Sequence, residues 1–265
     1  ANAVRRLNQF TGPFILRRMK SEVLRELPPK TENLRRIELE AEQRKLYLAA
    51  VVDAREKLRA AKPEDKMTVF AVLMRLREIC CDPRLVADNW TGSSAKLDAC
   101  LELVTEAVAG GHRILLFSQF TSMLELLAKR LDEAGVSHFT LQGSTPKPVR
   151  AEQVRRFNQG EADVFLISLR AGGTGLNLTA ADIVIHYDPW WNLAAQNQAT
   201  DRAYRIGQRN PVQVYRLIAQ DTIEEKIVEL QQAKQSLADT VTGGADGAIL
   251  SMNPEQLLQL LGEEA

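Results

Sequence analysis

Residues 164–175 read Val-Phe-Leu-Ile-Ser-Leu-Arg-Ala-Gly-Gly-Thr-Gly, an unbroken apolar run that stops at a serine and opens into small residues. Apolar residues without alternation are expected of a strand buried on both faces, as in a parallel sheet covered by helices. Ile114-Leu115-Leu116-Phe117 has the same character and runs into Ser118-Gln119. Between the two lie a helical stripe, Met123, Leu127 and Leu131, with Gly135 past its end, and a strand near His138–Leu141. A second helix reaches Asn158 and is closed by Gly160. Further strands are expected at Ile183–Tyr187 and Val212–Ile218. Strands alternating with helices argue βαβ units and a parallel sheet, so residues 94–220 are read as an α/β domain.

The flanks are helical. Tyr47, Val51, Ala54 and Leu58 fall on one stripe, and Pro63 breaks it. From about Lys66, Val69, Val72, Leu76 and Ile79 form another, and Asp82-Pro83 stops it. Helix is expected again from Thr222 to Lys234, then a flexible loop at Gly243-Gly244-Ala245-Asp246-Gly247, then a short helix with Leu257, Leu258, Leu260 and Leu261.

The 265 residues carry 34 Lys+Arg and 34 Asp+Glu, with 45% hydrophobic residues. That balance supplies a globular core and excludes disorder, collagen and rods as descriptions of the whole. No apolar run approaches the roughly 18 residues of a membrane span, and Ala1–Phe10 lacks the apolar core of a signal peptide. Cys80, Cys81 and Cys100 show no C-x-x-C spacing, so neither a disulfide frame nor a zinc site is suggested, and a reducing cytoplasm is expected. The neutral total hides an asymmetry. Residues 1–36 hold nine Lys/Arg against three Glu, and residues 221–265 nine acids against two Lys. A histone-like blanket of positive charge is excluded, but a local phosphate groove is not.

Ligands of an open parallel sheet bind at the carboxyl ends of its strands. The loops there are Ser118-Gln119, Gln142-Gly143-Ser144-Thr145, Leu169 to Gly175, and Asp188-Pro189-Trp190-Trp191-Asn192. Three of them offer small residues, hydroxyls and free backbone N–H groups, which suit a phosphate backbone. The dinucleotide fingerprint fails, because a G-x-G-x-x-G begun at Gly173 meets Leu178. No glycine precedes a lysine, so a phosphate-binding P-loop is missing too. Asp132-Glu133 ends an amphipathic helix and reads as solvated surface; His112, His138 and His186 are scattered, and His186 reads as core. After Asn192, Gln198, Arg202 and Arg205 are spaced to share one helical face, with Gly207 ending the helix. Two guanidiniums one turn apart form a fork suited to a polyphosphate. A surface ion pair between Asp201 and Arg205, worth at most about 0.5 kcal/mol, explains the spacing equally well.

Three stretches resemble motifs V, Va and VI of the Swi/Snf family, helicase-like ATP-dependent DNA translocases of superfamily two. They are Ser168 to Thr179, His186-Tyr187-Asp188-Pro189-Trp190-Trp191-Asn192, and Gln198 to Gln208. Pro13-Phe14-Ile15-Leu16-Arg17-Arg18 with Lys20, Val23 and Leu27-Pro28-Pro29-Lys30 resembles the segment between the family's motor lobes, and Leu76 to Pro83 its helical protrusion. Phe117-Ser118-Gln119-Phe120 resembles motif IV, and Gly143-Ser144-Thr145 motif IVa. Tyr204 stands where a histidine is usual, and Cys81-Asp82 where eukaryotic relatives have Asn-His; the wording of residues 186–191 is similar to bacterial members.

The resemblance implies a RecA-like second motor lobe at 94–220, an inter-lobe linker at 1–36, a helical protrusion at 37–93 and a C-terminal helical brace at 221–265. It implies Arg202 and Arg205 as arginine fingers on the γ-phosphate. Gly173, Gly175 and Gln198 would line the nucleotide cleft. Ser118, Gln119, Gly143, Ser144, Ser168, Arg170 and Thr174 would hold phosphates of the tracked strand, and Trp191 would face the other strand. Partners would be double-stranded DNA and the N-terminal RecA-like lobe, which would hold most of the ATP and Mg²⁺; the setting would be cytoplasmic and nucleoid-associated, with no metal held by this chain. Outside the resemblance, a non-catalytic DNA-binding module and an unrelated α/β nucleotide enzyme such as a methyltransferase are the alternatives.

Overall fold

The computed structural model describes residues 27–169, 171, 175–238 and 252–262. The segment around Pro13–Val23, the loop residues Arg170, Gly173 and Thr174, and the glycine loop at 243–247 lie outside the described residues.

Six parallel strands form one sheet in the order β1-β6-β5-β2-β4-β3: β1 (Lys30–Ile37), β2 (Ile114–Ser118), β3 (His138–Leu141), β4 (Val164–Ser168), β5 (Ile183–His186) and β6 (Val212–Ala219). Helices cover both faces, and the central strands show why an unbroken apolar run was needed. Ile114 and Leu116 of β2 point to one side, against α3 (Ala95–Ala109) and α4 (Thr121–Glu133). Leu115 and Phe117 point to the other, where Phe157 of α5 (Lys147–Asn158) and Ala199 of α6 (Leu193–Thr200) close the layer. Each fully buried Leu, Ile or Phe contributes about 1.5–3 kcal/mol, so both faces must be covered. The fold is the expected RecA-like α/β layer.

The helical pair is α1 (Ala41–Ala60) and α2 (Lys66–Cys81). Both expected stripes are buried, from Tyr47 to Leu58 and from Val69 to Ile79. Asp65 caps α2 by accepting from the Thr68 N–H at 3.0 Å, and Asp82 ends it, accepting from the Arg84 N–H at 2.9 Å. The last described helices, α7 (Ile223–Ala238) and α8 (Pro254–Leu260), contribute Ile223, Ile227 and Leu257 to the core of this pair. Through Ile223, Ile227 and Leu257 these C-terminal helices pack on the helical pair.

β1 is an element that sequence reasoning left inside the linker. It pairs in register with β6 from Lys30↔Val212 to Ile37↔Ala219. Its sequence, Lys-Thr-Glu-Asn-Leu-Arg-Arg-Ile, has no apolar pattern because it is an edge strand, and charges keep such an edge from pairing with another chain. Glu32 accepts from Arg216 of β6 at 2.6 Å.

Where helical pair, sheet and α7 meet, two ion pairs are wholly enclosed: Lys96 with Glu224, and Arg77 with Asp188. Burial disfavours the Lys96 ammonium, but the Glu224 carboxylate and the other groups around it together hold the pKa above the ordinary lysine value. Glu224 also accepts from the Ala219 N–H at 2.8 Å, tying α7 to the end of β6.

His186 is a core residue, as expected. It is 1% exposed, stacks on Phe117, and its Nε2 lies 2.9 Å from the Thr200 hydroxyl. Burial, helped by the Arg216 charge, pushes its pKa down to about 3. A depressed folded-state pKa means the unfolded chain binds the proton better, so this contribution is intact above pH 6.5 and lost as pH falls towards 3. Urea unfolding between pH 7.5 and 5 is expected to show stability falling by up to about 1.4 kcal/mol per unit below pH 6.5. His186→Met should flatten that slope.

Candidate functional site

Because every strand runs the same way, the loops after β5, β2, β4 and β3 lie side by side on one edge of the sheet. The loop of residues 188–192 is its centre. Asp188 is buried, and its Oδ1 accepts from the Ser118 hydroxyl at 2.6 Å and the Gln119 N–H at 3.2 Å. Its Oδ2 accepts from Arg77 Nη2 at 3.2 Å, and the same nitrogen donates to the Pro189 carbonyl. Burial pushes the Asp188 carboxyl up, opposed by the Arg77 charge and the Ser118 hydrogen bond. The Arg77 guanidinium lies over the Trp191 ring, 4.0 Å from its centroid. The Trp190 N–H donates to Gln196 Oε1 at 3.2 Å, and Gln231 of α7 donates to the Trp190 carbonyl. Asn192 then caps α6, accepting from the Ala195 N–H at 3.0 Å.

Two of the expected phosphate contacts lie inside in this geometry. Ser118 and Ser168 are buried, and the Ser118 hydroxyl is taken up by Asp188 while accepting from the Phe120 N–H at 3.1 Å. Neither side chain is turned to the surface, and Ser118 shapes the turn. Gly143 and Ser144 are exposed at the entry to α5, and Gln119 and Trp191 are half-buried. Gly175 is exposed with φ of 38°, a conformation that side-chain-bearing residues rarely adopt.

The helix expected to carry Gln198, Arg202 and Arg205 on one face is shorter than its spacing implied. α6 ends at Thr200, and residues 201–207 follow as successive tight turns. The carbonyls that would continue the helix are bonded elsewhere. That of Arg202 accepts from the Leu178 N–H at 3.0 Å. Buried Gln208 donates to the carbonyls of Ala181, Ala203 and Thr179, and its Oε1 accepts from the N–H groups of Arg209 and Asn210. The two arginines still come together, beside the chain that follows β4. Arg205 Nη1 donates to the Leu176 carbonyl at 3.3 Å. Arg202 is 6% exposed, and its buried Nε has no partner. Burial, then the Arg205 charge, lowers the Arg202 pKa, with Asp201 opposing. Gln198 is exposed on α6, away from any bond to the pair. Two guanidiniums that repel one another, one with an unused donor, suit an anion with several oxygens. Among the described residues no group of three or more His, Cys, Asp or Glu could hold a metal ion.

Residues 95–207 match the helicase conserved C-terminal domain, and residues 1–85 match the SNF2-related domain. The chain belongs to the Swi/Snf family. It is 39% identical, over 96% of its length, to an uncharacterized ATP-dependent helicase of Mycoplasma pneumoniae, of which it covers 25%. A solved structure of the Sulfolobus solfataricus SWI2/SNF2 ATPase core in complex with dsDNA matches 98% of this chain and 56% of that one, at 30% identity and a TM-score of 0.75. The SWI2/SNF2 ATPase C-terminal domain from the same organism matches 89% of this chain and all of that one, at 27% identity and a TM-score of 0.73. The chain spans about a quarter of the length of the curated relatives it matches.

Sequence reasoning missed Arg77, Asp188 and Gln208 as organisers. The signal for Arg77 was present: it follows Leu73 by one turn on an otherwise apolar helix face and precedes Cys80. Replacing Ser118 by Ala leaves the Asp188 carboxylate short of a donor in a buried setting, which costs about 1–3 kcal/mol. Ser118→Ala is expected to lower the urea midpoint accordingly, with the unfolding slope unchanged.

Proposed function

We propose that this chain is the second motor lobe of an ATP-dependent double-stranded-DNA translocase, supplying Arg202 and Arg205 to an ATP site completed by an N-terminal RecA-like lobe. The observation that carries the proposal is the convergence of these two arginines on the loop after β4, with a buried Arg202 Nε left without a partner. The dsDNA complex of the Sulfolobus solfataricus core supports the choice of nucleic acid.

In this reading the arginines stabilise charge that builds on the transferred phosphoryl group. A planar guanidinium reaches two oxygens at once, and partial burial beside the other arginine keeps each one's charge little screened. Gly175 lets the main chain approach the cleft, Gly173 would line the same cleft, and Thr174 would hold a phosphate of the tracked strand. Mg²⁺, supplied with the nucleotide, would neutralise phosphate charge, and its ligands would come from the other lobe. Gly143, Ser144 and the N-terminus of α5 face phosphates of the tracked strand. Gln119, Arg170 and Trp191 add contacts, while Ser118 acts from below by holding Asp188. Contacts of this kind are to backbone and carry no sequence information, so binding would fall steeply with salt.

Arg202→Ala and Arg205→Ala in the full-length protein are expected to cut DNA-saturated ATP turnover by about 10³-fold or more, with lysine giving no rescue. An ion pair between Asp201 and Arg205 serving the surface alone would leave turnover within about threefold and cost a few tenths of a kcal/mol, read from a melting curve.

The 265-residue chain by itself is expected to show no ATP turnover with or without duplex DNA. Turnover by this chain alone would reject the half-site reading.

A further inference from the structure

We propose that Arg77 is a positioning residue through which the helical pair sets the DNA-facing loop at Trp191. This rests on the motor-lobe reading above. Arg77 sits in the last turns of α2 with no exposed surface, between Leu73 and Cys80 on an apolar face. Leucine or methionine there would fill the same space without a buried charge, and replacing buried ion pairs by apolar residues is often neutral or stabilising. The arginine is also imperfectly satisfied: its Nε and Nη1 are buried without partners. Stability alone does not call for it.

What arginine supplies is geometry. Its Nη2 reaches both Asp188 and the Pro189 carbonyl, while its flat face lies on the Trp191 ring at 4.0 Å and near Phe120 at 5.6 Å. Asp188 in turn collects the Ser118 hydroxyl and the Gln119 N–H. One guanidinium thereby fixes the indole plane of Trp191 and, through one carboxylate, the backbone at Gln119. Both loops belong to the sheet edge proposed to meet DNA, whereas α2 belongs to the helical pair. A shift of that pair is passed to both loops through a contact that has direction. Lysine keeps the charge towards Asp188 but has no plane to lie on the Trp191 ring.

The test uses the full-length protein, a duplex DNA titration of its ATP turnover, and DNA binding read by anisotropy. Arg77→Lys is expected to raise the half-saturating DNA concentration about tenfold, with turnover at saturating DNA within about twofold of the parent. Trp191→Leu should raise the half-saturating DNA concentration at least as much, and the double variant should be no worse than Trp191→Leu alone, because Arg77 acts through that ring. Should Arg77→Lys not fold, Arg77→Met with Asp188→Asn removes both buried charges together and should show the same rise. Half-saturation within twofold of the parent, or effects that multiply in the double variant, overturns the positioning role. A parent protein that duplex DNA does not stimulate overturns the motor-lobe reading first, and this inference with it.

Discussion

Asp188 is a carboxylate with almost no access to water, and the functional edge is organised by the need to satisfy it. An unpaired buried charge is ruinous, so its oxygens gather three donors from two distant parts of the chain: a guanidinium from α2, and the Ser118 hydroxyl with the adjacent Gln119 N–H at the end of β2. None of these is close to it in sequence. The carboxylate converts the helical pair and two βα loops into one body, and the orientation of Trp191 follows from that body rather than from the loop's own preferences.

The second enclosed pair, Lys96 with Glu224, plays the corresponding part for the C-terminal helices. Glu224 bonds the ammonium of α3 and the N–H at the end of β6, so the start of α7 is fixed against the sheet. Tyr47 of α1 adds a bond to the Ile223 N–H at 2.8 Å. Polar contacts of this kind choose one packing among several that an apolar core alone would tolerate. The three cysteines are buried nearby as thiols, held protonated by the apolar surroundings.

Arg202 and Arg205 illustrate how tertiary bonding overrides a local pattern. Their spacing is that of a helix face, and α6 does begin as the Asn192 cap and its small residues dictate. The helix then gives up its carbonyls to Leu178 and Gln208, whose bonds come from the loop after β4 and from beyond Gly207. The unwound turns carry the Arg205 guanidinium to the Leu176 carbonyl and keep Arg202 close enough for the two charges to repel, which a continuous helix need not have done. Local helical propensity is worth tenths of a kcal/mol per residue, and a handful of satisfied buried hydrogen bonds outweighs it.

The sequence by itself determined the layer architecture. Unbroken apolar runs at β2 and β4, helical stripes in α1, α2 and α4, and the breaks at Pro63, Asp82-Pro83 and Gly160 are local patterns, and each governs residues next to it. It also placed the loops on one edge, since parallel strands leave no other arrangement. The tertiary structure alone decided which polar residues face outward. Ser118 reads from sequence as a loop hydroxyl and becomes an internal donor, because the carboxylate that takes it lies 70 residues away. Arg77 reads as one charge on a helix and becomes the link between modules. β1 carries no apolar pattern at all and is a strand because β6 offers it an open edge. Periodicity records how a segment meets water or a core, whereas these three roles depend on partners distant in sequence, and distance in sequence leaves no local mark.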